Sequence, residues 1–205
     1  MAIAIDKDPT TPETLYSIWA KRNVHFETEL EDSVIRQVAD YGSGATSYNS
    51  AKGFSLGGGY EVYILAFFIG LYANKRRPLD GEKKKFGQPI QYWGNLEKRG
   101  ERKPYSKLRD YMFAACVART DIDLLALERD DIPVSNAVSA MINTMDEYAN
   151  YGLHQLLDKL DEDKHFFTNH TSFLSMFIPL FKLMNPTDDE ESSSLSDSDE
   201  PESLD

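Results

Sequence analysis

At 205 residues the chain has room for one domain of about 180 residues plus a tail, enough to bury a core without disulfide support. Its one cysteine, Cys116, excludes an internal disulfide and a multi-cysteine zinc site, and its apolar neighbours Tyr111, Met112, Phe113 and Val117 mark it as a small buried residue. The net charge of −12 belongs to the end of the chain: residues 188–205 hold nine acidic side chains and no basic one, leaving 22 basic against 25 acidic residues in a nearly neutral body.

The first residues carry charge at Asp6, Lys7 and Asp8 in place of a signal-peptide pattern, so the expected compartment is a reducing cytoplasm. Thr10 and Glu13 have capping-box spacing and Pro12 suits a first helical turn, which predicts a helix carrying Leu15, Ile18 and Trp19. A second helix is expected over 27–41, with Leu30, Val34, Ile35 and Val38 on one face and Gly42 as its stop. Residues 43–59 read as a loop rich in Gly, Ser and Tyr.

Residues 60–73 are apolar or aromatic almost all round, with Glu61 as the only charge. A helix without a polar face has to be surrounded by protein. At about 21 Å it falls short of the ~30 Å of a bilayer core, so it is expected to be the central buried helix of a domain that does not enter a membrane.

Residues 74–105 are broken by Pro78, Gly81, Gly87, Pro89, Gly94, Gly100 and Pro104 and read as an irregular insertion, with 88–93 as a possible short strand. Helices follow over 106–119, after a cap at Asp121, and over 134–161, the longest. In that last one Val138, Met141, Met145, Tyr148, Gly152, Leu156 and Leu160 recur at steps of three and four, with Asn136, Asn143, Asp146, Glu147, Asn150, Asp158 and Glu162 on the opposite, polar side. A final helix over 171–184 contains Pro179, which would bend or break it. Residues 187–205 carry Leu195 and Leu204 as their only apolar side chains and are expected to be a disordered acidic tail after a 1–186 helical domain. The fold class is therefore all-α, a compact bundle of about six or seven helices around the central apolar helix.

Three stretches carry a resemblance. The run 60–70 leads into Asn74, Lys75, Arg76, Arg77, Pro78 and Leu79; Leu108, Arg109, Asp110, Tyr111, Met112 and Phe113 lead to Asp123, Leu124 and Leu125; and Glu147, Tyr148, Ala149, Asn150, Tyr151 and Gly152 form the most specific signature. Together they resemble the small accessory proteins associated with bacterial DNA phosphorothioation (Dnd) modification and restriction systems. The resemblance spans roughly 57–160. It implies a compact helical protein, a role in DNA modification or anti-phage defence, and a larger protein of a defence complex as partner. It supplies no catalytic residues.

The candidate chemistry is read from the residues themselves. Gly57, Gly58 and Gly59 precede a helix and offer either a phosphate approach or a flexible entry, but no Gly-Lys-Ser/Thr ending or Gly-x-Gly-x-x-Gly spacing accompanies them. Glu61 reads either as a catalytic carboxylate or as a charge that complements the helix dipole. His25, His154, His165 and His170 lack the spacing of a helical zinc site, so neither metal nor cofactor is expected. Glu147 to Asn150, with Gly152, reads as a close-packing stretch for another helix, Asn150 bonding across.

The strongest functional signal is basic. Lys75, Arg76, Arg77, Lys83, Lys84, Lys85, Lys98, Arg99, Arg102, Lys103, Lys107 and Arg109 are opposed only by Asp80, Glu82, Glu97 and Glu101, and Phe86, Tyr92, Trp93 and Tyr105 are interleaved. Cations neutralise phosphates with counterion release, and exposed aromatics stack on bases, so DNA or RNA is a candidate partner. An acidic protein surface and a merely solvated loop fit the same charges. The functional expectation is a non-enzymatic accessory subunit. The alternatives are an enzyme acting on nucleic acid or a nucleotide near the glycine run, and a phage or plasmid DNA mimic acting through the acidic tail.

Overall fold

Two helices cross with their backbones almost touching, and other described elements pack against that pair. The computed structural model describes residues 13–39, 56–95, 104–169 and 171–184. Within them the protein is all-α: α1 (Leu15–Ala20), α2 (Arg36–Val38), α3 (Gly59–Ala73), α4 (Lys107–Arg119), α5 (Leu124–Glu128), α6 (Val134–Glu162) and α7 (Ser172–Met184). One antiparallel ladder, β1 (His25–Glu27) with β2 (Lys83–Lys85), and short π- or 3-10-helical turns at Glu31–Ile35, Ile90–Tyr92 and Phe166–Thr168 complete the described elements. Among the described residues no helix is long and apolar enough to cross a membrane. The expected acidic tail and the loop before residue 56 lie outside the described residues, as does Gly42.

The central helix α3 is buried as its composition requires, from Val62 and Tyr63 through Phe67 to Ile69. It stops at Asn74, which takes the left-handed conformation at φ 50° while its N–H and that of Lys75 close back on the carbonyls of Leu71 and Gly70. Its main neighbour is α6. Small residues on both sides permit the approach: a Cβ on Gly152 would sit 1.9 Å from the Ala66 carbonyl oxygen, and a Cβ on Gly70 would sit 2.1 Å from that of Tyr148. The close-packing expectation for the Tyr148 to Gly152 stretch is met, with α3 as the partner.

Several boundaries differ from the sequence reading for identifiable reasons. The expected 27–41 helix starts late: His25–Glu27 is a strand, and the chain turns through a wide π-type turn at Glu31–Ile35 before α2. The strand wins there because β2 supplies a ladder partner in register His25 with Lys85, Phe26 with Lys84 and Glu27 with Lys83. Residues 88–93 hold a 3-10 turn at Ile90–Tyr92 in place of a strand. Thr14 caps α1 by accepting from the Ser17 N–H at 3.1 Å, and Asp123, not Asp121, caps α5 by accepting from the Ala126 N–H at 2.9 Å. Helix α7 continues through Pro179.

The core lies between α3, α6 and the ladder. The Tyr63 ring packs edge-on against Phe86 and Trp93 at 5.4 and 5.6 Å, and Phe26 meets Phe86 at 4.6 Å. Cys116 is buried at the back of this core as expected, and burial, helped by nearby Asp146, pushes its thiol up to about 12.

Candidate functional site

Successive strand residues point to opposite faces, so His25 and Glu27 share one side of β1. Helix α6 meets that side with Asp146, Asn150 and His154, at four-residue steps that align them in one stripe. The pairs are crossed between the elements. His25 Nδ1 lies 3.0 Å from Asp146 Oδ2, and the His25 backbone N–H donates to Asp146 Oδ1 at 3.0 Å. The Tyr63 hydroxyl donates to the same oxygen at 2.5 Å. Further along, His154 Nε2 lies 2.9 Å from Glu27 Oε2, while Glu27 Oε1 accepts from the Asp80 N–H at 2.7 Å and from Asn150 Nδ2 at 2.8 Å.

The two carboxylates respond differently to burial. Burial pushes Glu27 up, but the Asp80 N–H, His154 and Asn150 outweigh it and hold the carboxyl below the usual range. Asp146 is held above that range: burial is the larger effect, and the bonds from His25 and Tyr63 offset only part of it. The Tyr63 hydroxyl is pushed well above its ordinary value by its own burial and by the Asp146 charge, so it stays a donor. Replacing Asp146 by Leu is expected to cost about 3 kcal/mol or more, because Tyr63 and the His25 N–H lose their acceptor in a buried place. Asp146→Asn keeps one acceptor oxygen and is expected to cost less than half as much in urea unfolding, so equal midpoints for the two variants would contradict this role.

On the other side of the ladder Lys84 and Phe86 follow Phe26. Phe86 is buried in the core, and Lys84 reaches the buried Glu31 carboxylate, which also accepts from Arg36 at 2.9 Å. The Lys84 ammonium, against the smaller effect of burial and with help from Arg36, holds Glu31 below the usual carboxylate range. A lowered folded value contributes stability that is present above the unfolded carboxylate value and lost as pH falls through the folded one. Lys84→Ala is therefore expected to lower stability at neutral pH by about 1–2 kcal/mol and to flatten the acid limb of the stability curve. Lys83→Ala with Lys85→Ala is expected to change stability by under about 0.5 kcal/mol. Urea titrations from pH 3 to 7 check both, and a Lys84→Ala curve parallel to the parent would contradict the pairing.

The basic segment divides accordingly. Lys83 and Lys85 are exposed and form no ion pair with any described residue. Arg77 is exposed, and its backbone N–H is anchored to the Glu147 carbonyl at 3.0 Å. Lys75 stands 5.8 Å from the Tyr151 ring centre and Arg76 5.0 Å from that of Tyr148, with Arg76 also donating to the Arg119 carbonyl. Trp93 leaves the interface: it is buried, stacked on Tyr60 at 5.8 Å, with its indole N–H donating to the Gln88 carbonyl, so neither ring face is free for a base. Lys98, Arg99, Arg102 and Lys103 lie outside the described residues.

At the glycine run, Gly58 is the N-cap of α3 and the Gly57 N–H donates to Glu61 Oε2 at 2.8 Å. Glu61 Oε1 accepts from the Tyr105 hydroxyl at 2.7 Å. Both Glu61 oxygens thus have donors at the entry to α3. The open cleft beside it, about 850 Å3, is walled by Leu56, Ile64, Leu65, Phe68 and Phe177, and Glu61 is its charged group. A carboxylate among apolar walls repels a phosphate, so this cleft is a poor fit for a nucleotide.

The seam between β1 and α6 escaped the sequence reading. Asp146 and Asn150 sit on what reads as the solvent side of α6, yet both are buried. Their partners are 121 and 123 residues away in the chain, and no local spacing announces them. The one hint was Asn150, a poor helix former in mid-helix, expected to bond across to a neighbour. Comparison with protein-family models, with curated proteins and with solved structures finds no match to this chain.

Proposed function

We propose that this chain is a non-enzymatic binding subunit of a bacterial DNA-modification or anti-phage defence system, which docks on a larger protein and touches nucleic acid through the exposed cations Lys75, Arg77, Lys83 and Lys85. The observation that carries the reading is the state of Lys83 and Lys85: exposed, without an ion-pair partner among the described residues, and mounted on a strand whose backbone is bonded to β1. Two residues apart on a strand, they stand roughly 6.6 Å from one another and leave the strand on the same face, so both can meet one charged backbone. The resemblance at the 60–79 and 147–152 stretches supports the defence setting.

Counterion release gives this reading a quantitative signature. Fluorescence anisotropy on a short duplex and on a single strand, at several salt concentrations, measures it. Lys83→Ala with Lys85→Ala is expected to weaken binding about tenfold at low salt and to reduce the slope of log K against log salt by about 1.8. Binding that ignores both salt and the double change would remove nucleic acid from the reading.

A further inference from the structure

We propose that Glu27, Glu29 and His154 form a binding site for a divalent transition-metal ion, of the class that zinc represents. One donor atom from each lies within 4.8 Å of the others. Glu27 Oε2 and His154 Nε2 are 2.9 Å apart. At bond lengths of about 2.0–2.2 Å, two ligands of a tetrahedral ion lie roughly 3.3 Å apart, so an opening of a few tenths of an ångström seats an ion between them. With His154 neutral the trio carries two negative charges, which a divalent ion balances. One imidazole and two carboxylates are a borderline donor set, which suits zinc better than magnesium.

The supports of the site are already in place. Glu27 Oε1 is tied by the Asp80 N–H and by Asn150 Nδ2, which aims the other oxygen at His154. Metal-binding carboxylates are held in this way by donors behind them. Burial grades outward, from Glu27 at 2% exposure through half-buried His154 to exposed Glu29, so an ion has a path from solvent. Sequence spacing gives no warning of this site, because His154 comes from α6 and both carboxylates from β1 and the turn after it.

The inference rests on no part of the nucleic-acid reading and is tested with metal alone. The full chain, stripped of metal by a chelator, is titrated with zinc in a calorimeter, and its melting temperature and the visible absorption of its cobalt(II) form are recorded. One equivalent of zinc is expected to bind and to raise the melting temperature. Glu29→Gln, a surface change that leaves folding intact, is expected to weaken zinc at least tenfold. His154→Gln is expected to abolish the cobalt band, and His165→Ala with His170→Ala is expected to leave both readouts unchanged. Absence of zinc uptake by the parent, uptake lost in the His165 and His170 variant, or the same affinity in Glu29→Gln and the parent would each overturn the site.

Discussion

Gly152→Ala is expected to destroy the fold. Alanine is the better helix former, and in an open helix the change would stabilise by about 1 kcal/mol. Here the added methyl would stand 1.9 Å from the Ala66 carbonyl oxygen, a backbone atom that no side-chain rotation removes. Relief requires α3 and α6 to separate, which opens the packing along the pair that forms half of the buried core. Overpacking of a rigid contact costs about 1–3 kcal/mol in ordinary cases, and this one, against the α3 backbone at Ala66, is expected to reach about 4 kcal/mol or more. Urea unfolding of a Gly152→Ala protein should show a collapsed midpoint or no cooperative transition. A midpoint equal to the parent would mean that the two helices are not in backbone contact.

Phe67→Asp is the second large effect. Phe67 is 1% exposed, at the centre of α3, with its ring 5.3 Å from Phe68 and 6.2 Å from Tyr148. Loss of a buried phenyl ring costs about 3–5 kcal/mol, and an unpaired carboxylate in its place adds several more. The sum approaches the whole stability of a domain this size, about 5–15 kcal/mol. The variant is expected to yield no soluble, cooperatively folding protein, and an unchanged melting curve would refute the central placement of α3.

These two residues were legible in the sequence, and the reason is local. The run around Phe67 has no polar face at any period, and Gly152 beside Ala149 is a gap in an otherwise large-residue stripe. Both signals lie within one helix and need no knowledge of the partner. The β1–α6 seam needed that knowledge. Glu27 opens the stretch expected to be helical, and the ladder with Lys83–Lys85 makes it part of a strand with His25. Asp146 and Asn150 look solvated until β1 and Tyr63 cover them. Trp93 misled for the opposite reason: an aromatic among lysines resembles a stacking residue, yet the core of α3 claims it. Lys84 likewise differs from Lys83 and Lys85 because it leaves the strand on the other face, where the buried Glu31 carboxylate meets it.

The central claim, that nucleic acid binds the basic segment, is tested most directly by hydrogen exchange mapped along the full-length chain with and without saturating duplex at low salt. The account predicts slowed exchange over peptides covering 75–85, with α4 and α5 unchanged, and loss of that protection in the Lys83→Ala, Lys85→Ala variant. Protection confined to other segments, or saturating duplex that leaves 75–85 unaltered, would contradict it.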